Sequence, residues 1–230
     1  MTPGPGARLV IVGDGETAEL AHEHFSLDSP YAVAGFAVER AFLRAPELCG
    51  LPVVALEEME ARFPPGAHEA FVAVSSTRLN RVRRRLFRAA KAKGYRCASY
   101  VSSRASVSPS AVLGENAFVF EGCVLERRGR VADAVTIWSG SVVAHGTAID
   151  EAAFLAPRAA VAGFCTIGRG AFLGVNCSVA DRIAIAPDTV VGAGAVVIRD
   201  TEPGKVYVGN PARPLAKDAY ASMGVPEAER

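Results

Sequence analysis

One histidine stands apart from the other three. His22, His24 and His68 fall in the first third of the chain, whereas His145 has Arg127 eighteen residues before it and Gly163 eighteen after. An imidazole titrates near neutrality, so it can take a proton from a substrate and give it up again. Two carboxylates are spaced to stand near that ring: Glu126, which lies eighteen residues before Ala144, and Asp150. A catalytic zinc site needs about three nitrogen or sulfur ligands, and His145 has no second histidine near it, so no metal is expected. The five cysteines (Cys49, Cys97, Cys123, Cys165 and Cys177) are odd in number and form no CxxC pair. Neither a disulfide framework nor a zinc knuckle is expected, and a reducing cytoplasm is the simplest setting.

The spacing of eighteen comes from a repeat. From Ala105 to Asp200 the chain divides into sixteen consecutive hexads without an insertion, and the third position is Val, Leu or Ile every time. The first position is mostly Ala, Cys, Ser, Thr or Gly. Alternation in an ordinary sheet does not hold register over such a length. Each hexad reads as one short strand and a corner, and three hexads make one triangular coil. The third-position aliphatics stack inward, with coils spaced about 4.8 Å apart. A single coil cannot bury its own apolar side, so stacking supplies the core and the ends need caps. On this ruler His145 faces outward at a corner, between Arg127 and Gly163. Cys123, Cys165 and Cys177 fall on inward first positions, where they serve as small core residues.

Residues 8–103 follow a different pattern. Arg8-Leu-Val-Ile-Val-Gly13 reads as a buried strand, and an amphipathic stretch runs on to about Asp28. Further strands are expected at 31–38, 52–55, 70–75 and 95–101, with helices at 56–63 and 77–93. This alternation implies a parallel, Rossmann-like sheet. Gly13-x-Gly15-x-x-Ala18 follows a strand and opens a helix, the setting of a phosphate-binding turn. Gly13, Asp14 and Gly15 are therefore expected to bind a nucleotide moiety. The basic run from Arg78 to Lys93 is expected to form a solvated helix face. We expect two domains: residues 1–103, α/β and substrate-binding, and residues 104–230, a β-helix with a C-terminal extension.

A formal net charge of +1 gives no electrostatic reason to expect nucleic acid or an anionic membrane as partner. No apolar run approaches a membrane span, so no membrane insertion is expected. The opening Met-Thr-Pro-Gly-Pro-Gly-Ala is too short and too polar for a signal peptide.

Several segments together resemble the NeuD/PglD-type sugar O- and N-acyltransferases. They are Val10-Ile-Val-Gly-Asp-Gly15, Gly35-Phe36, Ile137-Trp-Ser-Gly-Ser-Val-Val-Ala-His145, Phe172-Leu-Gly-Val-Asn176, Val191-Gly-Ala-Gly-Ala-Val197 and Val208-Gly-Asn-Pro-Ala-Arg213. The resemblance implies a left-handed coil, a homotrimer, and acetyl-CoA as acyl donor in the groove between subunits. It implies a sugar or nucleotide-linked sugar as acceptor, with His145 as general base. Gly163 would offer its backbone N–H to the thioester oxygen. Gly163, Val175, Asn176, Ala193 and Arg213 would contact CoA. Glu39 and Arg40, after Gly35-Phe36, stand where relatives bind the nucleotide sugar. Three features depart from the pattern: Gly146 replaces the acidic residue that follows the histidine in many relatives, Phe154 replaces a second histidine, and Ala37-Val38-Glu39-Arg40 stands where relatives that bind UDP-sugars usually carry acidic residues. These departures leave a second reading, a degenerate member acting as a binding or scaffold module.

Overall fold

The computed structural model describes residues 7–230; the opening stretch on which the leader expectation rests lies largely outside them. The chain divides into two units. One comprises the described residues up to Ser75 together with Arg85–Tyr100, and the other comprises Ser76–Arg84 with Val101–Arg230.

The first unit is a five-stranded sheet. Its elements are β1 (Ala7–Val12), α1 (Glu16–Leu27), β2 (Tyr31–Val38), β3 (Glu47–Leu48), β4 (Leu51–Ala55), α2 (Met59–Arg62), β5 (His68–Val72) and, from Arg85 onward, α3 (Arg81–Ala92). The sheet order is β3-β4-β2-β1-β5, parallel except where β3 meets β4. Leu9, Val10, Ile11 and Val12 are all buried, as a central parallel strand requires. In α1, Ala18, Ala21 and Phe25 form the buried stripe, and the Phe25 ring meets Phe71 edge-on at 4.9 Å. The expected strand at 95–101 shrinks to one bridge between Ala70 and Cys97 and a two-residue strand, Tyr100–Val101. Helix α3 starts four residues later than expected, because Arg78, Leu79 and Asn80 all take positive φ (51°, 52° and 63°). That conformation costs a non-glycine residue roughly 1–2 kcal/mol. It is offset by burial of Leu79 beside Val190, Val206 and Ala219, and by an Asn80 Nδ2 bond to the Gly170 carbonyl at 3.0 Å.

The second unit is a left-handed parallel β-helix. Each hexad supplies a two-residue strand, and strands eighteen residues apart pair in register, as Val124 does with Val142 and Val142 with Ala160. Third-position residues such as Leu125, Ile137, Val143, Leu155 and Leu173 are at most 1% exposed and form one continuous core. Buried first-position polar groups donate to corner carbonyls of the next coil: Ser141 Oγ to Ala156 O at 3.1 Å, and Thr147 Oγ1 to Ala162 O at 2.8 Å. The fourth-position glycines have a reason other than turn conformation. A Cβ on Gly168 would stand 2.5 Å from the backbone N of Pro187, and one on Gly174 would stand 2.6 Å from that of Ala193. Close approach of the next coil excludes a side chain there. At the C-terminal end Lys205–Val208 extends one wall, Arg213–Asp218 pairs antiparallel to it, and the helix Ala219–Ser222 is capped by Asp218.

The basic run is a solvated face only in part: Arg85, Arg88 and Lys91 are exposed, whereas other members are buried or paired. Arg81 pairs with Asp188 at 3.0 Å with both side chains 10% exposed, and Arg85 grips Glu39 through two bonds of 2.7 and 2.8 Å. Arg83 is 1% exposed and donates Nε to Ala134 O at 2.8 Å and Nη2 to Ala152 O at 3.0 Å. Burial pulls its pKa down to about 9. Arg83→Ala should cost about 3 kcal/mol in a denaturant titration, because it strands buried carbonyls and opens a cavity. An unchanged midpoint would show that the guanidinium is not a structural pin.

Candidate active site

His145 projects from a corner that follows the strand Val142–Val143, with its side chain half exposed. Glu126, at the same corner one coil earlier, holds it twice: one carboxylate oxygen, Oε2, accepts the His145 backbone N–H at 2.8 Å and lies 3.0 Å from Nδ1. Those bonds hold the Glu126 carboxyl below the usual carboxylate range, so it is ionised and can only accept. Nδ1 therefore carries the ring proton. In the neutral imidazole Nε2 is then left with a free lone pair, the tautomer a general base needs. Asp150, the other carboxylate considered, stands at the next corner around the coil, after Ala148–Ile149, and takes no part.

Gly163 sits directly over the ring. A Cβ there would stand 2.9 Å from His145 Nε2 and 3.0 Å from Cε1, so the missing side chain leaves space at the basic nitrogen. Its N–H, however, does not point to a free position as the sequence suggested. It donates to Asp181 Oδ1 at 2.8 Å. The same device recurs one corner on, where Asp133 Oδ1 accepts the Glu115 N–H at 2.7 Å. A fifth-position aspartate caps the N–H one coil earlier, and that local rule claims the donor. The contribution of Gly163 that the geometry supports is thus steric.

Beneath His145 a shallow groove of about 470 Å³ runs along the wall, lined by Ser106, Ser108, Val124, Leu125, Glu126, Arg127 and His145. The expected CoA contacts Val175, Asn176 and Ala193 are exposed, but at a different corner, after Phe172–Leu173 and Val190–Val191. One chain therefore does not gather them with His145. Arg213 is exposed on the C-terminal strand, where its Nη1 donates to the Ala212 carbonyl. Phe154 is 6% exposed, stacked on Phe172 at 5.2 Å and covered by Arg83, so it is a packing residue and not part of the groove. Among the described residues no group of three or more His, Cys, Asp and Glu could hold a metal ion. Cys123, Cys165 and Cys177 are buried inside the coil, and burial raises each thiol pKa, that of Cys177 to about 12. None is placed to act as a nucleophile.

No family model matches the chain. Solved structures do. A perosamine N-acetyltransferase from Caulobacter crescentus, a histidine-to-asparagine mutant in complex with CoA and GDP-perosamine, is 32% identical, with a TM-score of 0.80 over 91% of this chain and 97% of that one. The chain belongs to the NeuD/PglD-type sugar acyltransferases. The acetyltransferase domain of PglB from Neisseria gonorrhoeae, in complex with acetyl coenzyme A, is another structural neighbour of this sugar acyltransferase at 25% identity, with a TM-score of 0.82 over 91% of this chain and 100% of that one. WeeI from Acinetobacter baumannii, 21% identical with a TM-score of 0.66 over 90% and 99%, shares the fold.

The turn after β1 is acidic. Gly13, at φ +132°, lies so close to the Ala73 carbonyl that a Cβ would stand 2.7 Å from it, while Gly15 is open to solvent. Asp14 lies between them, and α1 carries Glu16 and Glu19 in its first turn. Carboxylates there oppose a phosphate that the helix amides alone would favour. Glu39 and Arg40 also differ from free binding groups. Glu39 is engaged by Arg85, and Arg40 donates its backbone N–H to Glu57 and pairs through its guanidinium with Glu58.

Proposed function

We propose that this protein transfers an acyl group, acetyl in the first instance, from CoA to an amine or hydroxyl of a nucleotide-linked sugar, with His145 as general base. The observation that carries this reading is the Glu126–His145 pair, which engages Nδ1 and leaves Nε2 unobstructed in an open groove. The comparisons support the donor and the class of acceptor. The perosamine enzyme was solved with CoA and GDP-perosamine, and also as variants in which one histidine is replaced by asparagine or alanine.

In the reaction the acceptor nitrogen or oxygen attacks the thioester carbonyl as Nε2 removes its proton. The tetrahedral intermediate then collapses, the carbon–sulfur bond breaks, and the CoA sulfur leaves with the proton returned by His145. No acyl-enzyme forms. The N-terminal unit is proposed to hold the nucleotide, with Gly13, Asp14 and Gly15 at its turn. The acidic turn favours N–H or O–H donors of a base or sugar over a diphosphate. Because Val175, Asn176 and Ala193 occupy another corner, a second copy would have to bring them to His145, which supports the expected trimer.

The test is to mix the protein with acetyl-CoA and GDP-linked amino sugars, following free thiol and the mass of the sugar nucleotide. Thiol release that depends on the acceptor, with an acetylated product, is expected. Absence of both with every acceptor would favour the scaffold reading. Glu126→Gln should lower kcat by about 100-fold, less than for a buried orienting carboxylate because this one is half exposed. Equal kcat would show that Glu126 does not set the tautomer.

A further inference from the structure

The imidazole of His145 has a third neighbour that neither the spacing of the repeat nor the family resemblance explains. The ring of Phe164 stands perpendicular to it, at 89° with centroids 5.0 Å apart. Phe164 is 52% exposed, so burial in a core does not account for a phenyl ring at this corner. The guanidinium of Arg182, one coil further on, lies 4.8 Å from the ring centroid. At that distance it pins the ring by a cation–π contact.

Gly146 supplies the second half of the observation. A Cβ there would stand 2.7 Å from Phe164 Cδ1 and 2.9 Å from Cε1. The backbone does not by itself demand glycine. In the same column Arg128, Phe164 and Arg182 keep full side chains at φ 59°, 55° and 61°, against 68° at Gly146. The vacancy at residue 146 therefore serves the Phe164 ring. This also accounts for the missing acidic residue after the histidine, whose side chain would occupy the space the ring takes.

Accepting the acyl-transfer reading above, we propose that Phe164 is a positioning residue for His145, held by Arg182 and admitted by Gly146. Glu126 fixes Nδ1 but leaves an exposed imidazole free to leave the bond and swing to solvent. The phenyl ring forms a wall against that motion, so that Nε2 stays under Gly163 where the acceptor must arrive. An aspartate or glutamate after the histidine would do both jobs with one side chain. Here the two jobs are divided between Glu126 below and Phe164 above.

The test uses the full chain carrying Phe164→Ala, Phe164→Tyr, Gly146→Ala and the Gly146→Ala/Phe164→Ala pair. Phe164→Ala should lower kcat about tenfold with both KM values within about twofold, since a loosened base changes the chemical step and not binding. Phe164→Tyr should restore kcat. Gly146→Ala should cost more in the wild type than in the Phe164→Ala background, because the clash is with that ring. Nitrogen NMR of the imidazoles, with His145 assigned through His145→Gln, should show a fixed Nδ1–H form that broadens or averages in Phe164→Ala. Unchanged kcat and unchanged imidazole signals would overturn the proposal. So would additive effects at 146 and 164, or an activity loss that size-exclusion chromatography traces to a changed oligomeric state. If the wild type turns over no acceptor, the acyl-transfer reading fails, while the NMR arm still decides whether Phe164 positions the ring.

Discussion

His145→Ala is expected to lower kcat for acyl transfer by about 100- to 10,000-fold, the usual contribution of a positioned general base. The KM values should hardly move, because the groove that receives the substrates is lined mainly by other residues. Folding should be unaffected: the side chain is half exposed and points away from the core of the coil. Steady-state thiol release and a thermal melt on the same sample separate these outcomes. A variant that keeps its melting temperature and its full kcat would remove His145 from the chemistry. One that loses its fold would show that the corner depends on the imidazole, contrary to its exposure.

The second large effect is expected from adding one methyl group. Gly163→Ala puts a Cβ 2.9 Å from His145 Nε2 and 3.4 Å from Asp181 Oδ1. The neighbour that must yield is the tip of an exposed side chain, so the fold can absorb the change by moving the imidazole. Moving a base by about 1 Å costs on the order of 100-fold in rate. Gly163→Ala should therefore resemble His145→Ala in kcat while melting close to the wild type. A full kcat would mean that the imidazole works from another position. A collapse in stability would mean that the coil, and not the base, needs the glycine.

The repeat was legible because its physics is one-dimensional. An aliphatic at the third position of every hexad forms the core, and strands eighteen residues apart pair in register. The same ruler places Gly163 over His145 and offers Glu126, beside Asp150, as the carboxylate for its ring. What it could not show were the directions of outward groups. Asp181 takes the Gly163 N–H because a carboxylate one coil on reaches back, which spacing alone does not reveal. Phe164 escaped notice because a sixth-position aromatic resembles any other corner residue until its ring is seen against His145. A signal was available in a pair of residues, a glycine where the resemblance implies an acid and a phenylalanine eighteen residues later.

The front of the chain was harder to read, and for a related reason. The order of β and α elements followed from apolar runs, but the fate of each charge depended on partners distant in sequence. Arg83 belongs to a basic run that looks solvated, yet it is buried against the carbonyls of Ala134 and Ala152. Glu39 and Arg40 looked available for a ligand, yet they meet Arg85 and Glu58. The fourth-position glycines show no signal of their constraint in the local sequence. The constraint is the approach of the next coil, which would leave a Cβ on Gly168 only 2.5 Å from the Pro187 backbone N.

The central claim is that His145 Nε2, held by Glu126 through Nδ1, receives the proton of the attacking group. A crystal structure of the protein with CoA and an amino-sugar nucleotide tests it most directly. The account predicts the acceptor nitrogen within about 3 Å of Nε2, hydrogen-bond distance for a base and its proton donor, with Glu126 still on Nδ1. An acceptor whose reacting atom lies at another corner of the coil, or an imidazole turned away from it in the ternary complex, would contradict the account.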